Sequence, residues 1–141
     1  MKRTYLWVLV ILLIGAFVLL YPYETTVVPN WSARAVGEDR TPLVGVGVTE
    51  YWRHTSVEAE DHRAEATTDD RGYVTFPRRT IRASLLRRGL GSLINRLNAH
   101  GVDLGPHAYL IISGDMNSTT DKSDYRPGKP LPEEIIRRQL K

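Results

Sequence analysis

Residues 43–52, LVGVGVTEYW, carry the clearest β-strand signal in the chain. Three valines alternate with two glycines and a threonine, and this period of two predicts that the valines share one face, turned towards a core. Gly45 and Gly47 leave the opposite face flat, which permits a bulge or a close approach of another backbone. We therefore expect residues 43–52 to form a half-buried strand of a β-rich domain.

Further strand-like segments lie on both sides of this stretch. Residues 31–36 read as a strand and residues 73–76 as a β-rich strand. Residues 58–67 form a more polar candidate near a sheet edge, and residues 108–113 read as a final buried strand. The turn TDDRG at residues 68–72 ends on a glycine that can take a positive φ. The pattern predicts a mainly β domain over residues 31–113.

Two of these segments resemble carboxypeptidase regulatory-like domains. Residues 32–48, SARAVGEDRTPLVGVGV, and residues 68–76, TDDRGYVTF, are similar to the D-x-x-G-x-P-L-x-G-x-x-V and T-D-x-x-G-x-[FY] hairpins of that family. The resemblance implies a transthyretin-like (prealbumin-like, Ig-like) β-sandwich of about seven strands that acts in docking or recognition and not in catalysis. Arg40 stands where the family usually has glycine, and residues 77–83 replace its usual P-G-x-Y strand.

From Ser84 onwards the hydrophobic period lengthens to that of a helix. Ser84 is placed as an N-cap, and the segment looks like an insertion into the sandwich. The apolar residues that share one predicted face are Leu85, Leu86, Leu90, Leu93, Ile94 and Leu97. Two arrangements remain open: this amphipathic helix covers an end or face of the sandwich, or it lies on the membrane with its arginines at lipid phosphates.

Residues 5–21, YLWVLVILLIGAFVLLY, contain no charged or strongly polar side chain and predict a transmembrane helix. At ~1.5 Å per residue they extend roughly 25 Å, near the ~30 Å thickness of a hydrocarbon core. Lys2 and Arg3 mark the cytoplasmic end, so we expect a single-pass protein with an extracytoplasmic C-terminal domain, periplasmic in a Gram-negative cell. The anchor residues are Tyr5, Leu6, Trp7, Leu13, Phe17, Leu20 and Tyr21.

A cleaved signal peptide is the alternative to this signal-anchor. Bulky residues occupy positions 21–23, where cleavage needs small ones, and the A-x-A string at residues 33–35 lies far downstream. We therefore expect residues 1–23 to be retained as a cytoplasmic stub and membrane anchor. A linker at residues 24–30 follows, then the sandwich at 31–113, then a polar tail at 114–141 with a short terminal helix over residues 131–140.

The composition excludes several classes of protein. The chain has no cysteine, which removes disulfides, thiol chemistry and a lipoprotein anchor. Its net charge is +3, and two of these charges lie before the anchor, so nucleic-acid binding has no electrostatic support. Residues 50–70 hold seven acids and residues 71–102 seven arginines. These blocks favour either pairing within the sandwich or a basic surface for anionic lipid or an acidic partner.

No motif indicates catalysis, a metal or a cofactor. Histidines at positions 54, 62, 100 and 107 lack a recognised ligand spacing. Hydroxyisourate hydrolases share the transthyretin-like fold but end in Y-R-G-S, whereas residues 125–128 here read YRPG. A transthyretin-like hydrolase is kept as one alternative only through that fold.

We therefore expect a non-enzymatic interaction or structural module that is tethered to membrane lipid and meets an envelope protein. Candidate contact residues are Tyr51, Trp52, Arg87, Arg88 and Arg96. The second alternative is a carbohydrate-binding accessory sandwich that uses Trp31, Tyr51, Trp52 and Tyr73 as an aromatic platform.

Overall fold

A computed structural model describes residues 2–98, 105–114, 118–121 and 124–139. The chain is mainly β, with one apolar helix before the strands and one amphipathic helix among them. The elements are α1 (Lys2–Leu20), β1 (Pro22–Val28), β2 (Trp31–Val36), β3 (Gly47–His54), β4 (His62–Thr67), β5 (Tyr73–Phe76), β6 (Arg79–Ser84), α2 (Leu85–Asn98), β7 (Pro106–Ile112), β8 (Ser118–Asp121), β9 (Asp124–Tyr125) and β10 (Glu134–Gln139).

Most strands form two four-stranded sheets within the described residues, in the orders β5-β2-β10-β8 and β4-β3-β7-β9. All pairs in these sheets are antiparallel except the parallel pair of β10 and β2. Both sheets supply buried side chains to a shared core, such as Trp31 and Phe76 from the first and Val48 and Leu110 from the second. The predicted strands at residues 31–36 and 73–76 are confirmed as β2 and β5.

The strands β1 and β6 form a separate two-stranded ribbon that prolongs the β2–β5 ladder. Trp31 pairs with Phe76 in that ladder, and Val28 pairs with Arg79 at the start of the ribbon. A proline lies between the two ladders on each strand, and proline has no N–H with which to continue the pairing. The ladder is interrupted there, and the Asn30 Oδ1 atom accepts a hydrogen bond from the Arg78 backbone N–H at 2.7 Å.

Two turns pack against each other at one end of the sandwich. Asp69 Oδ1 accepts hydrogen bonds from the backbone N–H groups of Arg71 and Tyr73, at 2.9 and 2.7 Å. Gly72 has a φ of 82°, as the turn pattern predicted, and its carbonyl accepts from the Ala35 N–H at 2.8 Å. A β-carbon at Gly72 would also come within 3.1 Å of the Ala35 carbonyl oxygen, so this position requires glycine.

The strand predicted at residues 43–52 begins four residues later. Gly45 takes a φ of 67°, and Val44 is 55% exposed in the turn before β3. Thr68 holds this turn, because its hydroxyl donates to the Leu43 carbonyl and accepts from the Val46 N–H. The predicted valine face is therefore correct for Val46 and Val48, which meet the core, and wrong for Val44. The polar strand predicted at residues 58–67 begins only at His62.

The terminal helix predicted over residues 131–140 is wrong, because this segment contains β10. Its backbone pairs with β2 on one side and β8 on the other, and Ile135 is fully buried in the core. Trp31 Nε1 donates to the Pro132 carbonyl at 2.9 Å, which fixes the approach to the strand. Pairing with two strands outweighs the helix-like charge order. The boundary predicted at residue 113 is therefore also wrong, since β8 and β10 complete a sheet.

The linker predicted at residues 24–30 is wrong for a similar reason. These residues lie largely in β1, and Val27 and Val28 are at most 1% exposed. The polar residues before them form a strand by pairing with β6. Their local sequence does not indicate this pairing, because the partner strand is distant in the chain. The sandwich is thus joined to α1 by a hydrogen-bonded ribbon.

Candidate functional site: the junction of α1, the ribbon and α2

The helix α1 is long and apolar enough to cross a bilayer, by length and composition. Its window Arg3–Leu20 has a mean hydropathy of 2.3 and is not buried by the rest of the protein. All the predicted anchor residues are exposed: Tyr5, Leu6, Trp7, Leu13, Phe17, Leu20 and Tyr21. At the last turn the rings of Phe17 and Tyr21 lie 5.6 Å apart, and those of Tyr21 and Tyr23 lie 5.2 Å apart. Such aromatic clusters suit a membrane–water interface.

The two helices meet the ribbon at the same end. The strand β1 begins at Pro22, one residue after Tyr21, whose N–H still donates to the Phe17 carbonyl at 2.9 Å. Pro22 pairs with Ser84, the last residue of β6, and α2 begins at the next residue. The Ser84 hydroxyl accepts from the Arg87 N–H at 3.3 Å, so the predicted N-cap is confirmed. We call Tyr21, Pro22, Ser84 and α2 the junction.

One side of α2 contacts the sandwich through polar groups and glycine. Arg87 donates to the Val57 carbonyl at 3.3 Å, and Arg88 donates to the Tyr23 carbonyl at 2.9 Å. A β-carbon at Gly91 would overlap the Ser56 carbonyl oxygen, so the helix backbone lies directly on the β3–β4 loop. Glycine is therefore required at Gly91 by close packing, despite its helix penalty of ~1 kcal/mol.

The apolar side of α2 faces away from these contacts. At ~100° per residue, Leu86, Leu90, Leu93, Ile94 and Leu97 are centred about 120° around the helix from Arg87, Arg88 and Gly91. All five are exposed, from 43% at Leu86 to 74% at Leu97. Leu85 is also exposed, at 46%. Globular domains normally turn the apolar face of such a helix inward. In α2 the apolar face instead points away from the sandwich.

The loop beneath α2 is held by a network around His54. The ring Nδ1 of His54 lies 2.9 Å from the Ser56 hydroxyl, and its backbone N–H donates to Glu58 Oε2 at 2.9 Å. The other Glu58 oxygen lies 2.8 Å from His62 Nε2. Burial lowers the pKa of His54, and the positive charge of Arg88 lowers it further. The pKa of His54 is therefore coupled to the charge of Arg88 on α2.

The three histidines that the structure describes, His54, His62 and His107, each form a hydrogen bond. Among the residues the structure describes, no group of three His, Asp or Glu side chains is placed to hold a metal ion. His107 Nδ1 lies 3.2 Å from the Thr55 hydroxyl, and His100 lies outside the described residues.

A buried ion pair links the ribbon to the sandwich. Glu50 on β3 is fully buried, and its Oε2 accepts from Arg79 Nε and Nη2 at 2.9 Å. The Arg79 guanidinium also lies 4.3 Å from the centre of the Trp52 ring. Burial raises the pKa of Glu50, and the bond and charge of Arg79 oppose that rise. The acidic and basic blocks of the sequence are thus paired here, but the two residues lie on β3 and β6, which are not neighbouring strands of one sheet.

The predicted contact residues do not form one surface. Tyr51 and Trp52 are neighbours on β3 and point to opposite faces of its sheet. Tyr51 stacks on Tyr109 with centroids 5.0 Å apart, whereas Trp52 packs between Arg79 and His62. Arg87 and Arg88 belong to the junction. The side chain of Arg96 lies outside the described part of the structure.

The aromatic platform predicted for carbohydrate is not assembled from its four members. Trp31 is fully buried, and Tyr73 lies on β5 beneath the Arg34 guanidinium at 5.8 Å. A different cleft of about 230 Å³ lies beside Tyr109 on the other sheet. Its lining includes Arg53, Thr55, His107, Tyr109, Asp124 and Tyr125. These residues come from distant parts of the chain, so no local pattern could have indicated the cleft.

Scans of the chain against family models, curated proteins and solved structures find no match. The functional interpretation therefore depends on the geometry of the junction and of the sandwich.

Proposed function

We propose that the protein is a non-enzymatic, membrane-tethered module that presents a β-sandwich outside the cytoplasm, close to the bilayer. The observation that carries this proposal is the direct passage from α1 into β1, whose far end is buried in the sandwich core. A paired ribbon restricts the reach and orientation of the domain far more than a flexible linker of equal length would. Lys2 and Arg3 before the helix support a cytoplasmic N-terminal side.

The position of the A-x-A string supports retention of α1. Ala33 and Ala35 are fully buried in β2, in the middle of a sheet. Cleavage after residue 35 would remove β1 and most of β2, together with Trp31. A folded sandwich therefore needs residues on both sides of the string, which favours a signal-anchor over a cleaved signal.

We also propose that the sandwich is transthyretin-like and related to carboxypeptidase regulatory-like domains. The two segments that carry the resemblance are in contact, since Ala35 bonds to Gly72 and Thr68 bonds to Leu43 and Val46. These contacts between the two turns support the proposed relationship. A docking or recognition role follows from that relationship as part of the proposal.

The described polar groups support a structural role over catalysis. Glu50 is fully buried in an ion pair with Arg79, and His54 is hydrogen-bonded within its own loop. These features also weigh against a transthyretin-like hydrolase.

Carbohydrate binding is the second candidate function, and one observation favours it. The cleft combines the Tyr109 ring with Asp124 and Arg53, which pair an aromatic surface with polar groups. A glycan array with the full-length protein in detergent micelles tests this role. Binding that Tyr109→Ala abolishes and Trp52→Ala leaves intact would support it, and an array without binding would remove it.

Chemical cross-linking in intact membranes tests the main proposal. We expect the full-length protein, after affinity capture and mass spectrometry, to carry cross-links from sandwich lysines or exposed carboxylates to a specific envelope protein. A variant that carries new negative charges at two exposed positions of the sandwich, Tyr73→Glu and Ile111→Glu, controls for non-specific capture. Recovery of the same cross-links from this control, or of none from the native chain, would contradict an interaction role.

A further inference from the structure

We propose that α2 is a second membrane contact, lying in the outer headgroup layer with its apolar face towards the acyl chains. The proposal rests on the proposed function, because it takes α1 to span the bilayer. It assigns a lipid surface to the exposed face formed by Leu86, Leu90, Leu93, Ile94 and Leu97.

Position is the first argument. The junction places the start of α2 directly beside the end of α1, because Pro22 and Ser84 are paired. The side chains of Tyr21 and Tyr23 mark the same end as an interfacial level. A helix that begins there and carries an exposed apolar face adjoins the surface that α1 enters.

Orientation is the second argument. The side of α2 that contacts the sandwich is occupied by Arg87, Arg88 and Gly91, which bind backbone carbonyls or lie against the β3–β4 loop. The sandwich therefore cannot receive the apolar face without releasing all three contacts. The helix therefore contacts the rest of the protein with one side and exposes its apolar face on the other.

Charge is the third argument. The helix contains arginines at positions 87, 88 and 96 and no acidic residue, within a stretch that lacks acids from residue 71 to 102. Basic amphipathic helices with leucine-rich faces are typical of the bilayer interface, and a helix without acidic residues meets no repulsion from anionic lipid headgroups there. A second protein would need a complementary apolar groove, whereas the bilayer is already present at this level.

Site-specific fluorescence in proteoliposomes tests the proposal. The chain has no cysteine, so single cysteines can be introduced and labelled with nitrobenzoxadiazole in the full-length protein. The positions are Leu90→Cys on the apolar face, Ser92→Cys on another side of α2, Val44→Cys in an exposed sandwich turn and Leu13→Cys within α1. The vesicles contain phosphatidylcholine and phosphatidylglycerol, with a nitroxide placed either shallow or deep on the acyl chain.

We expect the label at Leu90 to be quenched by the shallow nitroxide at least about threefold more than the label at Val44, with Ser92 between them. The label at Leu13 should be quenched best by the deep nitroxide. A label at Leu90 whose emission and quenching show the same exposure to water as the label at Val44 would overturn the proposal. So would a blue-shifted Leu90 label that lipid nitroxides do not quench, because protein and not lipid would then cover the helix.

The label at Leu13 separates the two proposals. Deep quenching at Leu13 with none at Leu90 leaves the membrane tether standing and removes the second contact. Absence of quenching at Leu13 removes the tether itself. Leu93→Cys provides a second label on the apolar face, and the shallow nitroxide should quench it as it quenches the label at Leu90.

Discussion

Pro22 and Ser84 are paired at the free end of the ribbon, so α1 and α2 leave the sandwich from adjacent positions. Because Pro22 follows α1 and Ser84 precedes α2, this pairing fixes the end of α1 next to the start of α2. One helix is apolar all round, and the other carries its apolar face on the side away from the sandwich. This relationship makes the junction the centre of the functional interpretation.

Two glycines in α2 provide a matched pair for testing how the helix docks. Gly91→Ala should release α2 from the loop, because its β-carbon would overlap the Ser56 carbonyl oxygen. Gly89→Ala meets no atom within 4 Å and should slow amide exchange in α2 by about fivefold, because alanine gains ~1 kcal/mol over glycine in a helix. Hydrogen exchange of the full-length protein in micelles measures both. Equal effects of the two substitutions would contradict the docking described for Gly91.

The pKa of His54 reports on the same contact. The Arg88 charge helps to keep this pKa below the usual 6.5, so Arg88→Gln should raise it. Because the folded pKa is lowered, stability from this group is present above the unfolded pKa and is lost as pH falls through the folded value. NMR titration of the histidine ring measures the change. Arg71→Gln, in the turn before β5, is the control and should leave His54 unchanged.

The ion pair of Glu50 predicts a pH dependence of the opposite sign. Since burial raises the folded pKa above 4.5, the native state holds the proton more tightly than the unfolded chain. The free energy of unfolding should therefore fall as pH rises from about 4.5 through the folded pKa. Glu50→Gln should lose this dependence, which urea unfolding at several pH values can measure. Parallel pH profiles of the native protein and the variant would contradict the assignment.

The segment after residue 113 supplies a test of the corrected fold. Ile135 is fully buried between the sheets, so Ile135→Ala should lower the free energy of unfolding by about 2–5 kcal/mol. Ile111, which is 41% exposed, is the matched control, and its replacement by alanine should cost below about 1 kcal/mol. Urea unfolding in micelles, followed by tryptophan fluorescence, compares them. A mobile tail would instead make Ile135→Ala almost neutral.

The sequence predicted those elements whose signal is local. The bounds of β2 and β5 agree with the strand-like segments between their turns, and α2 agrees within one residue with its apolar period and its Ser84 cap. The turn pattern of residues 68–72 also predicted the positive φ of Gly72. These features depend on neighbouring residues, which is why a pattern can reveal them.

The elements that the sequence could not indicate depend on distant partners. The strand β10 contains adjacent buried isoleucines and a helix-like charge order, and its pairing with β2 spans most of the chain. The polar half of β1 is a strand only because β6 pairs with it. The outward direction of α2 likewise depends on the contact of Gly91 with Ser56, which no periodicity encodes.

The mass of the protein retained in carbonate-washed membranes tests the central claim most directly. A retained anchor that continues into β1 predicts a membrane-bound chain with the full mass of 16.0 kDa. The same membranes should release no shorter form into the wash. A shorter chain that begins after the apolar segment and appears in the soluble fraction would contradict the tether, and with it the role proposed for the junction.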